Sequence, residues 1–551
     1  MKRGAKYVII LTVVATITLA FANPSNDRYF QIVKNLDIFA TLFKEVNAYY
    51  VDEVNPNTLM KTGIEAMLSN LDPYTTYIGE DDIEDYLTVT TGEYGGIGAV
   101  VDKKDGVNTI VLPYEGYAAH RAGLKIGDQI LKINDVDLAD KPSDQISKLL
   151  KGQSSSGIKL TIKRYKQPET FEVELKREKI TVNNVPFSGM VNEDIAYIRL
   201  TDFTTKAGAE VANALKELKS AGAKKVILDL RGNPGGLLEE AINVSNVFVP
   251  RGVEVVSTKG KLDAWTKTYR SLNNPIDTEI PVAVLTDNGS ASASEIVAGV
   301  IQDYDRGVLI GRRTFGKGLV QQTRPLAYNS QLKVTTAKYY IPSGRCIQAI
   351  DYSHRNPDGS VGKLPDSLKV EFKTKSGRLV FDGGGLDPDI SVDRTKYAPI
   401  TYSLLRKDHI FNFVTEFVHG KLEDPFEAKV YRLTDEEYNG FVTWLKGKDY
   451  DYTTKVERTI DALVKTAKEE KYFDEIKSQI EELQNATLHN KEQDLMTFQS
   501  EIRTLIEQEI AGRYELQKGI IESTFEKDRD ILAAVEVLND EDKYQSLLSG
   551  N

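Results

Sequence analysis

The sequence predicts a multidomain α/β protein: a helical N-terminal block, a small β-rich domain, an α/β core and a C-terminal helical domain. Three observations carry this. A chain of 551 residues exceeds what one hydrophobic core organises, so three or four domains are expected. The hydrophobic period changes along the chain, from helical to short alternating runs, then to strand–helix succession, then back to helical. The composition, 41% hydrophobic and 27% charged, is that of a globular protein without low-complexity bias.

Residues 1–22 read as a signal peptide. "MKRGAK" is basic, Tyr7 to Ala22 carries no charge, and Ala20-Phe21-Ala22 is a small-x-small cleavage site followed by polar "NPSNDR". A retained membrane anchor is the competing reading, but the uncharged run falls short of the roughly 20 residues that span a bilayer. Export to the periplasm or cell envelope is expected either way, membrane-anchored if the segment is kept.

Residues 26–87 form the N-terminal helical block. "FQIVKNLDIFATLFKEVNAYYV" and "NPNTLMKTGIEAMLSNL" space their apolar residues as helices do. Residues 88–180 change to five short alternating runs, "GIGAVVD", "NTIVLPY", "QILKIND", "IKLTIKRY" and "TFEVELKRE". Two short helical pieces, "GYAAHRAGL" and "SDQISKLL", lie between them, which predicts a small half-open barrel or sandwich. Residues 181–396 alternate strands with helices: "AYIRL", "KAGAEVANALKELKSAG", "KKVILDL", "GLLEEAINVSNVFV", "PVAVLTD", "SEIVAGVIQDY". These strands are apolar throughout, as in a sheet covered on both faces. Residues 397–551 return to Lys- and Glu-rich helical stretches with apolar residues at three- and four-residue steps. Those helices can dimerise, dock an adaptor or brace the core, and nothing in them points to catalysis.

The net charge of −11 disfavours a general nucleic-acid binder, which needs a concentrated basic surface. Cys346 is the single cysteine, so no intramolecular disulfide staples an exported chain. Its strand-like setting in "PSGRCIQ", with no adjacent His, disfavours a catalytic thiol.

Chemistry concentrates in "NGSASASEIVAGV", where Ser290, Ser292 and Ser294 open a helix. A serine there can cap the first turn, or it can be a nucleophile beside amides that stabilise an oxyanion. A nucleophile needs a base. Of the five histidines, only His354 falls in the α/β core, in "DYSHRNPDG" with no sign of an orienting carboxylate. A Ser-His-Asp triad is disfavoured, scattered histidines without i,i+4 pairing disfavour a zinc site, and no metal or cofactor is expected. Lysine can serve as base once burial lowers its pKa. Lys317, between Gly316 and Gly318 in "IGRRTFGKGLVQQ", has such a setting, with a surface lysine in a Gly turn as the alternative. If the chain runs extended from Lys317, Gln321 shares its face and can orient the lysine or a serine hydroxyl. The turn in "LDLRGNPGGLLEEA" can present free amides to an anion, but it matches neither nucleotide-loop pattern. Ser156-Gly157-Ile158-Lys159 and Lys61-Thr62-Gly63 mimic penicillin-binding motifs, but in the wrong order and without S-D-N.

Together "GSASASEIVAGVIQDYDRGVLIGRRTFGKGLVQQ", "EYGGIGAVV", "AAHRAGLKIGDQILKIND", "VILDLRGNPGG", "AKYYIPSGRCIQ" and "GGLDPDISV" closely resemble the C-terminal processing peptidases, or tail-specific proteases. The resemblance covers roughly Phe30 to Asp393. It implies a serine endopeptidase with Ser292 as nucleophile, Lys317 as general base and Gln321 as supporting amide. Ser290 and Ser294 become capping or hydrogen-bonding neighbours. The resemblance further implies an oxyanion hole from the N–H of Ala293 and of Gly235 or Gly236. It makes residues 88–180 a PDZ-like domain, in which the amides of Gly95, Gly96, Ile97 and Gly98 receive a peptide carboxylate while the peptide adds a strand. Expected partners are proteins with apolar, unstructured C-termini, a second copy of the chain through its helical regions, and an adaptor. The competing reading is a PDZ-bearing scaffold with latent or partner-activated protease activity.

Overall fold

The computed structural model describes residues 24–487 and 491–549. The expected signal peptide, residues 1–22, lies outside them. The chain divides into a unit ending at Tyr77 and a unit beginning at Ile78. The first unit holds helices Pro24–Tyr49 and Pro56–Ser69. Asn55 starts the latter by accepting the N–H groups of Asn57 and Thr58 at 2.9 and 3.2 Å, with Pro56 at the first helical position. The longer helix leaves Phe30, Val33, Leu36 and Leu42 exposed. Among the described residues, no helix is long and apolar enough to cross a membrane.

In the second unit the β-rich region follows helix Ile83–Thr91. Its sheet joins Ala99–Lys104, Val107–Pro113, Gln129–Ile133, Val136–Asp137, Gly157–Lys163 and Phe171–Lys176. Helices Ala118–Arg121 and Ser143–Leu150 accompany it, as the two helical pieces predict. Alternation puts Ile158, Leu160 and Ile162 into one core with Ile110, Ile130, Ile146 and Leu124. A separate ribbon pairs Glu93–Gly96 with Glu178–Thr181.

The α/β core is a six-stranded sheet in chain order: β1 (Phe187–Met190), β2 (Ile195–Arg199), β3 (Lys225–Asp229), β4 (Val282–Thr286), β5 (Val308–Gly311) and β6 (Ile390–Ser391). β1 is antiparallel to β2, and every later pair is parallel. Helices α1 (Ala207–Ser220), α2 (Leu238–Phe248) and α3 (Ala293–Asp303) cover one face, burying Ile198, Leu228, Val284 and Leu309. The alternate residues Tyr197, Ile227, Leu285 and Ile310 point to the other face. That face is closed by α4 (Arg529–Asn539) and α5 (Glu541–Ser549), through Ile531, Ala534, Val537, Leu538 and Tyr544. The last two helices thus leave the C-terminal helical cluster and complete the core. Both-sided burial is why the strands read as continuous Val, Ile and Leu.

A second, antiparallel sheet includes Glu254–Gly260, Lys267–Arg270, Leu319–Pro325 and Gln331–Tyr340. Cys346 lies after it in an irregular segment rather than a strand, because Gly344 takes a positive φ of 89° and turns the chain. Helices Pro399–Arg406, His409–Phe417, Asp435–Trp444, Lys491–Thr497 and Gln499–Glu522 gather around Leu404, Phe413, Phe441, Leu495, Ile502 and Ile506, while Lys455–Glu469 packs against Phe473–Thr487.

Candidate active site

The site forms where β3 and β4, side by side in the sheet, end in two turns pressed together. β3 ends at Asp229 and passes through Leu230 and Arg231 into the turn Gly232–Gly236. β4 ends at Thr286 and passes into the serine-rich turn that opens α3. Parallel neighbours deliver both turns to the carboxyl end of the sheet, the usual place for a site in such folds.

The three serines have different work. Ser290 and Ser294 are fully buried. Ser290 Oγ donates to Leu230 O at 2.8 Å and accepts the Asp287 N–H at 3.0 Å, while Ser294 Oγ donates to Asn233 O at 2.9 Å. The outer pair therefore ties the glycine turn to α3. Ser292, half-buried, stands between them with φ 55° and ψ −111°, a conformation disfavoured for a side-chain-bearing residue. Neighbouring contacts over-determine it: Ala291 N–H donates to Asn233 O at 3.0 Å, and the Tyr339 hydroxyl donates to Ser292 O at 3.2 Å.

Gly235 lies against the strained residue. A Cβ there would come within 2.6 Å of Ala291 O, 2.8 Å of Ala293 N and 2.9 Å of Ser292 Cβ. Its φ of 94° also favours glycine. The Gly235 N–H donates to Asn233 Oδ1 at 2.9 Å. The Gly236 N–H meets no acceptor among the described residues. As the first residue of α3, Ala293 has an N–H with no intrahelical partner.

Lys317 is half-buried on the segment that leads into the strand Leu319–Pro325. The flanking glycines allow close backbone approach: a Cβ on Gly316 would lie 2.5 Å from Ala349 Cβ, and one on Gly318 would lie 2.8 Å from Gln348 N. Gln321 sits on that strand beside a register shift, and its Nε2 donates to Thr335 Oγ1 at 3.2 Å.

A residue that the sequence reading passed over links the serine and lysine segments. Glu295, fully buried three positions after Ser292, accepts the Ser292 N–H at 2.8 Å and the Lys317 N–H at 2.9 Å through one oxygen. Its other oxygen accepts Thr314 Oγ1–H at 2.6 Å and the Gly316 N–H at 2.7 Å. Burial pushes its pKa up to about 7, against the hydrogen bonds from Thr314, Lys317, Gly316 and Ser292 that favour the charged form. The Ser-x-x-Glu spacing of a helix start was the available signal.

His354 needs a correction. Asp351 Oδ2 lies 2.6 Å from its Nδ1, so it does have a carboxylate neighbour. The ring is 87% exposed on the hairpin strand Ile350–Arg355, where a local i,i+3 contact suffices to make the pair.

In the β-rich region, Gly95 and Gly96 pair with Lys179 and Glu178 in the ribbon, while Ile97 and Gly98 leave it. The N–H groups of Ile97 and Gly98 meet no acceptor among the described residues. Gly96 and Ile97 line a groove between Ala99–Lys104 and Ser143–Leu150, together with Tyr94, Val101, Ile146, Leu150 and Lys151.

Three family models match the chain: peptidase family S41 over residues 194–358, a PDZ domain over 109–164, and the C-terminal helical domain of probable PDZ-proteases over 400–538. A carboxy-terminal-processing protease of Bartonella bacilliformis is 36% identical over 341 residues, which cover 61% of this chain and 77% of that relative. A probable CtpA-like serine protease of Staphylococcus aureus is 29% identical over 394 residues, 71% of each chain. Among solved structures, a photosystem II D1 C-terminal processing protease is 25% identical with a TM-score of 0.35, over 64% of this chain and 92% of that one.

Proposed function

This chain belongs to peptidase family S41, with the carboxy-terminal-processing proteases, and is a serine-type peptidase with a PDZ domain; from that premise we propose that it cleaves exported proteins selected by their C-terminal tails, using Ser292 and Lys317. The observation that carries this reading is the strained Ser292 between two anchored serines, with Glu295 bonding to the backbone of both Ser292 and Lys317. Neutral Lys317 takes the proton as Ser292 Oγ adds to the scissile carbonyl. The oxyanion that forms accepts hydrogen bonds from Ala293 N–H and an amide of the glycine turn. Because the Gly235 N–H is already given to Asn233, Gly236 supplies the uncommitted donor. Collapse of the intermediate breaks the C–N bond, and Lys317 returns the proton to the leaving amine. Water then adds to the acyl-serine as Lys317 takes its proton, and the C–Oγ bond breaks with that proton passing to Ser292 Oγ, which frees the new carboxylate. Gln321, on the strand that Lys317 leads into, is held by its bond to Thr335 and steadies the lysine through its amide oxygen.

The PDZ domain selects the substrate. Ile97 and Gly98 amides hold the tail carboxylate, the tail pairs with Ala99–Lys104, and the apolar groove favours an apolar last residue. Export follows from the basic, apolar and Ala-x-Ala sequence of residues 1–22, and the periplasm or cell envelope is the working compartment. Tyr29, Ile32, Val33 and Leu36, exposed along one side of helix Pro24–Tyr49, form a face that a second copy of the chain covers.

The test uses the chain from Asn23, with its Ser292→Ala and Lys317→Ala variants. Each is given an unfolded protein with an apolar tail and the same protein ending in Asp-Asp, and fragments are followed by mass spectrometry. Cleavage of the apolar-tailed protein by the parent alone is expected, with losses of ~10⁴-fold or more in the variants. Cleavage that survives Ser292→Ala would contradict the choice of nucleophile.

A further inference from the structure

Two carboxylates from the last helices reach the turn that feeds the site. Arg231 immediately precedes Gly232, and its guanidinium is held from both sides. Toward the sheet, Nε donates to Asp229 at 3.0 and 3.1 Å and Nη2 at 2.7 Å. Asp229 is fully buried and also accepts Tyr197 O–H at 2.6 Å and Arg199 Nη1–H at 2.5 Å. Toward the C-terminus, Arg231 Nη1 donates to Asp528 at 2.8 and 3.0 Å and to Asp530 Oδ2 at 2.8 Å. Asp528 also caps α4 by accepting the N–H groups of Asp530 and Ile531. Asp530 lies 3.5 Å from Arg312, and Arg312 lies 3.8 Å from Asp287. Asp287 Oδ1 closes the ring by accepting the N–H groups of Gly232 and Gly289 at 2.8 and 2.9 Å.

A turn with positive φ at Gly232, Gly235 and Gly236 has little stiffness of its own. Amide donors for an oxyanion work only when held to within about 0.5 Å. Ser290, Ser294 and Asp287 hold this turn from the nucleophile side, and the forked guanidinium of Arg231 holds its entry. The Asp229 fork sets the plane of the guanidinium, and Asp528 and Asp530 hold its remaining edge, so that it is gripped from the sheet and from α4 together.

We propose that Asp528 and Asp530 are positioning residues for catalysis: they fix Arg231 and thereby the glycine turn that receives the oxyanion. The C-terminal helices are then part of the catalytic apparatus as well as a cover for the sheet. This rests on reading the Gly232–Gly236 turn as the oxyanion hole.

Asp528→Asn and Asp530→Asn, singly and together in the full chain, test it. Asn still caps α4, and both changes preserve shape while removing charge. The readouts are kcat and KM on an apolar-tailed substrate, affinity for a peptide boronate that forms a tetrahedral adduct on a serine nucleophile, tail-peptide affinity, and melting temperature. The double variant is expected to lose ~10–100-fold in kcat with KM within about twofold. Boronate affinity should fall in parallel, and tail-peptide affinity should not move. Parent-like kcat, a lowered melting temperature alone, or a kcat loss with full boronate affinity would each overturn the proposal. Should the double variant not fold, the Asp530→Asn single variant carries the same comparison. If the parent fails to bind the boronate or Ser292→Ala still cleaves, the reading of the site fails instead.

Discussion

Around Ser292, glycine and carboxylate chemistry decide what the site tolerates. Gly235→Ala places a methyl within 2.8 Å of Ala293 N and 2.6 Å of Ala291 O, both of them backbone atoms that cannot swing away. The turn must shift, and a displacement of about 1 Å costs on the order of 10²-fold in rate, so kcat should fall by that much with tail binding unchanged. Steady-state kinetics beside tail-peptide titration checks this. Glu295 gives a pH signature. Its pKa is raised in the fold to about 7 from an ordinary 4.5, so the native state keeps a proton that the unfolded chain has released. Stability from this group is full below about pH 4.5 and is lost as pH rises to 7, by about 3 kcal/mol. Glu295→Gln removes that slope, so the melting temperature of the parent relative to the variant should fall between pH 5 and 7. A constant difference would contradict the shift. The three-serine cluster and the Gly-flanked lysine were legible in the sequence because such patterns are local. Ser-x-x-Glu gave only the bond to Ser292; the donors Thr314, Gly316 and Lys317 come from a segment that only the fold brings to Glu295.

At the scale of elements, the sheet and its two helical layers explain why the site is stiff. Ile531 on α4 is fully buried against the face that carries Ile227 and Leu285. Ile531→Ala should cost ~2–5 kcal/mol by leaving a cavity, and thermal unfolding followed by circular dichroism would read it. Truncation after Glu522 should do more, exposing a Val-Ile-Leu sheet face and giving insoluble protein. A soluble, active truncation would show that α4 and α5 are dispensable. The strand–helix succession of residues 181–396 was readable because parallel strands covered on both faces are uniformly apolar. Which helices supply the second cover was not, since the amphipathic pattern of α4 and α5 matches that of the helices preceding them. A contact between residue 531 and a sheet some 250 positions upstream leaves no local trace.

The whole molecule carries a PDZ domain, a serine-type peptidase core and a first helix with exposed apolar residues. Leu36→Asp, placed in the exposed stripe of the first helix, should reduce the light-scattering mass of the chain from Asn23 to that of one copy. A mass unchanged from the parent would mean that this face is not where copies meet. The order of regions was legible from changes in hydrophobic period, whereas partners lie beyond what one chain's periodicity encodes. Ser292, rather than either flanking serine, is the nucleophile we propose. Its most direct test is to treat the parent and Lys317→Ala with a fluorophosphonate and map the modified serine by peptide mass spectrometry. A single adduct on Ser292 in the parent, much slowed in Lys317→Ala, is the predicted result. An adduct on Ser290 or Ser294 would assign the nucleophile elsewhere, and labelling of Ser292 at equal rate in both proteins would exclude Lys317 as its base.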